Sequence, residues 1–223
     1  FNGAPAAPVT QTVNLNLAWS ANETINTPTN ANLILGGAMT SANLLTMTGA
    51  GTQTLGGVNS IECLSIDGLA GSSTTITGNT AINATGDALY VGSNEAVPGC
   101  HGTLIIQPGA VLTVTGNLGD SFVIGRDGAS GTVVQNGGTF TFNPASNGTI
   151  WLGATGNSAT RSVYNMNGGL LDMSGNTLGA GLGAGVLITG LVSQVSGVIT
   201  NVGNLWVGWG NGRGVYTISG GSI

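Results

Sequence analysis

The side chains that could do acid–base, nucleophilic or metal chemistry are few and scattered. Eight carboxylates, Glu23, Glu62, Asp67, Asp87, Glu95, Asp120, Asp127 and Asp172, are spread over 223 residues. None recurs at a fixed offset. A hydrolase or lyase acting on polysaccharide brings its acids together on one surface, often with Lys, Arg or calcium. Asp120 and Asp127 flank the segment 122–125, near Arg126, and read as turn residues. The Gly-Gly-x-Gly-x-Asp calcium repeat is absent. Cys100 and His101 are adjacent, which does not by itself make a nucleophile–base pair. Two Cys and one His fall short of a zinc set. Gly181-Leu182-Gly183-Ala184-Gly185 is glycine-rich but has no Lys and no helix after it, so it lacks the parts of a phosphate loop. The chain reads as non-enzymatic, with no metal and no cofactor.

Aromatic side chains show more pattern. They fall in a phrase written several times: aliphatic-aromatic-aliphatic-Gly, a short loop, then an alternating run ending near Gly-Gly. One copy is Leu205-Trp206-Val207-Gly208, followed by Val215-Tyr216-Thr217-Ile218-Ser219-Gly220-Gly221. Another is Ile150-Trp151-Leu152-Gly153, followed by Val163-Tyr164-Asn165-Met166-Asn167-Gly168-Gly169. A third is Phe122-Val123-Ile124-Gly125 with its run ending Asn136-Gly137-Gly138, and a looser fourth is Leu89-Tyr90-Val91-Gly92. Alternation puts the aliphatic pair of each phrase on one side of a strand and the middle residue on the other. If the aliphatic pair faces inward, Tyr90, Val123, Trp151 and Trp206 form an outward column. Such a stripe is a contact surface for sugar rings or for another copy of the protein.

What must position this column is a stack of strands. The anchor glycines, Gly92, Gly125, Gly153, Gly179 or Gly181, and Gly208, recur at about 26 to 33 residues, a period in the range of solenoid repeats. Period-two alternation signals strands with one buried face, and no window carries a 3.6-residue stripe. The fold class expected is all-β, a single-domain parallel β-helix of about 8 coils of roughly 25–30 residues each. Gly and Asn belong at its corners, with Asn136, Asn167, Ser196 and Ser219 at one equivalent corner. Residues 1–11 read as a flexible N-terminal arm, 12–88 as irregular coils and 89–223 as regular ones. The alternating run from Val13 through Leu15 to Leu17 reads as one strand able to pair with a neighbour. At the other extreme, Tyr216, Ile218 and Ile223 lie in a phrase that breaks off without a polar cap. The expectation is that another subunit stacks there head to tail, which builds an open filament.

Composition narrows the partners. The chain has no Lys, three Arg (Arg126, Arg161 and Arg213) and a net charge of −5. Three scattered Arg cannot neutralise a run of phosphates, so nucleic acid is not a partner. A polybasic membrane patch fails for the same reason. No charge occurs between Asp172 and Arg213, but glycines and polar residues break that stretch too often for a membrane span. The start, Phe1-Asn2-Gly3-Ala4-Pro5, reads like a mature exported chain from which a signal peptide has been removed. Export places the protein outside the cell or on its surface. There, two cysteines suggest a disulfide between Cys63 and Cys100, with two buried thiols as the other reading.

The phrase from Leu205-Trp206-Val207-Gly208-Trp209-Gly210 to Val215-Tyr216-Thr217-Ile218-Ser219-Gly220-Gly221 closely resembles the repeat of bacterial autotransporter passengers and PEP-CTERM-associated exported proteins. Thr46-Met47-Thr48-Gly49-Ala50-Gly51-Thr52-Gln53-Thr54-Leu55-Gly56-Gly57 resembles the related autotransporter-associated β-strand repeat. The resemblance covers 89–223 well and 30–60 weakly. It implies an exported bacterial β-solenoid of surface or extracellular type: a filament, surface layer or adhesive stalk. The expectation is that neither a C-terminal membrane barrel nor a sorting helix accompanies it.

Overall fold

The computed structural model describes residues 6–85, 88–93, 100–116, 122–126, 128–145, 148–154, 160–180, 188–208 and 211–223. Strands dominate, and no helix occurs among the described residues. The local cause is visible in Ser130–Gln135, where Gly131, Val133 and Gln135 are buried and Ser130, Thr132 and Val134 are partly exposed. Alternation of that kind buries one face of an extended segment and cannot form the apolar side of a helix.

Each coil lays one strand on each of three faces. Val9–Val13, Ala31–Leu35, Thr52–Leu55, Ser73–Ile76, His101–Ile106, Ser130–Gln135, Thr160–Met166, Ile188–Gln194 and Arg213–Ile218 stack as a nine-stranded first face. The second and third faces form one 14-stranded sheet. They are joined because Met39–Gly49 and Val58–Gly68 each run around the corner between them, with a register shift between Ser41 and Leu44. Later coils use separate strands there, from Asn79–Ala84 to Val198–Thr200 on the second face and from Leu89–Val91 to Asn204–Val207 on the third. All pairing between the described strands is parallel, from the first coil (Val9 opposite Ala31) to the last (Gln194 opposite Ile218). This is a parallel β-solenoid: eight coils and the first strand of a ninth.

Coil length is less uniform than the repeat suggests. Neighbouring positions in the first coils lie 20–22 residues apart, whereas Asn136 and Asn167 lie 31 apart. The early coils are short because a strand that bends round a corner needs no loop there. The expected strand from Val13 to Leu17 is also divided. Val13 ends the first-face strand opposite Leu35, Leu17 begins Leu17–Trp19 opposite Met39, and Leu15 lies on the corner between them, 73 % exposed. Apolar alternation continued through a corner, and nothing in the pattern marked it. The strand Val9–Val13 also takes in residues 9–11 of the expected arm.

The three faces enclose one continuous core, running from Leu35 to Ile199. Phe122 of the third face packs edge-on against Phe140 of the second at 5.7 Å, and Phe140 against Phe142 at 6.4 Å. Burying each such side chain contributes about 1.5–3 kcal/mol. Since every coil shares its core with the next, stability is distributed along the stack.

Candidate functional site: an outward column and two open ends

The aromatic column begins with the anchor glycines. Gly92, Gly125, Gly153 and Gly208 all have φ between 70° and 76°, a left-handed conformation that glycine adopts without penalty. A Cβ on Gly92 would also collide with the carbonyl oxygen of Ser130. Each of these glycines turns the chain off the third face just after a three-residue apolar run of the strand. That fixes the strand's parity: Leu89, Val91, Phe122, Ile124, Ile150 and Leu152 are buried in the core. The middle residues point outward.

Register then lines them up. Tyr90 lies opposite Val123, Val123 opposite Trp151, Trp151 opposite Gly179 and Gly179 opposite Trp206. Below Tyr90 the column continues as Ser65 and Thr46. Gly179 is therefore a member of the column and not an anchor; the residue equivalent to the other anchors is 181, outside the described residues. Aromatic rings stand on every second coil, about 10 Å apart at two strand spacings. Their exposure is uneven. Trp206 is 43 % exposed, Tyr90 and Trp151 are half-buried, and Val123 is only 4 % exposed. The Nε1–H of Trp151 is buried with no hydrogen-bond partner. The column is thus continuous in register but open chiefly at Trp206.

The two extremes of the described stack present unpaired strand edges and apolar side chains. At one, Leu205, Trp206, Val207, Val215, Ile218 and Ile223 are exposed. Tyr216, half-buried, donates from its hydroxyl to Gln194 Oε1 at 2.9 Å. At the other lie Val9, Leu15, Leu17 and Trp19, whose indole N–H is buried without an acceptor. Of the expected end residues, Val13, Leu17 and Tyr216 already pack against the core, while Leu15, Ile218 and Ile223 remain exposed.

The disulfide expectation is overturned: Cys63 and Cys100 are both thiols. Cys63 lies opposite Leu44 beside the corner that begins the third face. Cys100 lies at the far end of that face, its Sγ 3.7 Å from Asp67 Oδ1. Cys63 and Asp67 are four residues apart on one strand, about 13 Å, well beyond what a disulfide spans. Cys100 is buried and His101, next along the strand, is partly exposed with Nε2 3.4 Å from Thr132 Oγ1. The two project to opposite sides and form no dyad.

Two polar arrangements were not legible in the sequence. Asp67 is buried and accepts from Ser65 Oγ at 2.6 Å, from Ser93 N at 2.9 Å and from Ser93 Oγ at 3.3 Å. Its donors come from the protein itself, which leaves a structural carboxylate. The second is interior. Tyr164 donates to Gln135 Oε1 at 2.7 Å, and Gln135 Nε2 donates to Leu170 O at 2.9 Å. Tyr216, Gln194 and Ser222 O repeat this unit two coils on. Burial raises the Tyr164 hydroxyl far above its ordinary value, with Tyr216 adding to the shift, and burial pushes Tyr216 up to about 12. These contacts join residues more than 20 apart, so only an assumed register could have predicted them.

Among the described residues, the remaining acids do not converge. Glu62 accepts from Thr85 at 2.5 Å in a shallow groove lined by Ser41, Ser60 and Asn83. Among the described residues it is the one carboxylate in that lining, whereas glycoside hydrolysis typically uses a pair. Asp172 is held below the usual carboxylate range by the Asn201 amide and then by Ser174. Asp87, Glu95, Asp120, Asp127 and the 181–185 glycine run lie outside the described residues. Among the described residues, no group of three or more His, Cys, Asp or Glu could hold a metal ion. Among those residues, no helix is long and apolar enough to cross a membrane.

No family model, curated protein or solved structure matches this chain. Function has to be read from the fold and its surfaces.

Proposed function

We propose that this chain is a non-catalytic structural protein, an exported β-solenoid that builds a filament, surface layer or adhesive stalk by stacking copies head to tail. The observation that carries this reading is the unbroken one-to-one register of the first face, a parallel ladder that a strand of another copy can extend. The inward rows also continue sensibly from one copy to the next. Tyr216 and Ile218 end the two rows that Gln11 and Val13 begin, through the unbroken register of the first face. The resemblance of the repeat phrase to exported bacterial solenoids supports the same reading, with self as partner and an extracellular or surface location.

Negative-stain microscopy and sedimentation of the purified chain test it. The expected result is fibres whose formation is abolished by Ile218→Lys with Val13→Lys, changes that place charge on both meeting edges. Rods one molecule long at every concentration would overturn the reading. They would instead fit a longer chain that covers its own coils.

A second reading, carbohydrate binding, is favoured by the rings of Tyr90, Trp151 and Trp206 on alternate coils. Aromatic faces stack on sugars, and these rings repeat about every 10 Å, twice the strand spacing. Retention on insoluble polysaccharide that Trp206→Ala removes, with assembly unchanged, would select it.

A further inference from the structure

From the geometry of the first face we infer a second interface, lateral and independent of the ends: this face packs against the same face of another copy. Its nine strands keep one-to-one register throughout, without the shift that interrupts the second and third faces. Two outward rows run its length. One passes through Thr12, Ile34, Thr54, Thr75, Ile105 and Val134; the other runs from Thr10 to Val215. Neither row contains an ionisable side chain. His101, Arg161 and Arg213 stand along one margin, two residues outside the rows. The second face, by contrast, carries Asp172 in its outward row.

Three properties of the face make a second copy the occupant. The first is composition: the fully buried centre of an interface is depleted in charge but need not be strongly apolar. Rows of Thr, Ser, Val and Ile, with Asn32, Asn165 and Leu191 among them, bury no unpaired charge and need few rotamers fixed. The second is size. Nine strands at about 4.8 Å and five to six residues each give a face of roughly 700–800 Å², close to the ~800 Å² per partner of a standard interface. The third is commensurability. Another copy has the same strand repeat, so side chains of one sheet fall between rungs of the other along the whole length, with sheets about 10 Å apart. A partner of different periodicity drifts out of step within a few rungs. Two-fold symmetry brings identical rows together.

Thr54→Lys combined with Val134→Lys tests this on the full chain, since both side chains point outward. Sedimentation should give paired rods for the native protein, twice the mass per unit length of a single solenoid, and single rods for the variant. Far-UV circular dichroism should be unchanged. Small-angle scattering of the native chain gives the cross-section without any substitution. A native cross-section of one solenoid, or a folded variant that keeps the native mass per length, would overturn the inference. End-to-end stacking changes particle length and leaves the cross-section alone, so the two interfaces fail separately.

Discussion

Tyr164 and Tyr216 show how a single buried hydroxyl ties coils together. Each donates to a glutamine one coil below, and each glutamine spends its own N–H on the backbone of the next face. Losing the phenolic proton would leave a buried anion pointing at an amide oxygen. Both hydroxyls have folded-state values above the ordinary 10.0, largely through burial. Linkage fixes the sign: a group whose pKa is raised on folding contributes fully below its unfolded value and loses that contribution as pH rises through the folded one. The last coils should therefore be as stable at pH 9 as at pH 8. They should weaken from about pH 10, with the Tyr216 share gone near pH 12. Denaturant midpoints at pH 8, 9 and 11.5 measure this, and Tyr216→Phe should flatten the alkaline slope. An unchanged slope in that variant would remove Tyr216 from the account. The cysteines teach a related lesson. An even count invited a disulfide, but Cys63 and Cys100 occupy opposite ends of one face, a separation that no count discloses.

Corners set what each strand can do. Gly92 combines a φ of 71° with a site where a Cβ would strike Ser130 O. Gly92→Ala should cost about 1–3 kcal/mol from backbone strain alone, and more from the collision, read as a lower denaturant midpoint. Gly71→Ala is the control: its φ is 90° but nothing lies within 4 Å, so it bears strain without collision and should lose less. Corners are also where the sequence was most and least legible. The anchor glycines and the parity of the aliphatic-aromatic-aliphatic strands followed from alternation, and the structure has both. The polar corner was placed one residue off in one coil. Asn167 Nδ2 donates to Asn136 Oδ1 at 3.0 Å, but register continues that row to Val195, while Ser196 Oγ bonds the carbonyl of Asn167. A missing glycine in Val195-Ser196-Gly197 hid the shift. The column was legible as an order of residues and not as a surface, because burial of Val123 depends on what stands beside the strand, which alternation does not encode.

At the scale of the whole molecule, two features repeat every second coil. Outward rings stand at Tyr90, Trp151 and Trp206, and the inner tyrosine–glutamine unit recurs at Tyr164 and Tyr216. Over the later coils both features thus recur once in two coils, while nearer the start Gln53 bonds Thr27 and Thr74 in a continuous buried chain. Stability in such a stack is a sum of neighbour terms, so a coil with one neighbour opens more readily than a coil with two. Amide hydrogen exchange should show this as a gradient. Protection should peak in central strands such as His101–Ile106 and Ser130–Gln135, and be lowest in Val9–Val13 and Arg213–Ile218, which pair on one side only among the described strands. The proposed head-to-tail stacking would add a neighbour to both outermost described strands at once. Raising the concentration through the onset of assembly should slow exchange in those two strands together, by the factor that separated them from the centre, and leave the central strands as they were. Slowing at one terminus alone would mean that the ends do not meet each other. Slowing along the first face with no change at the termini would mean that the copies associate side by side and not end to end.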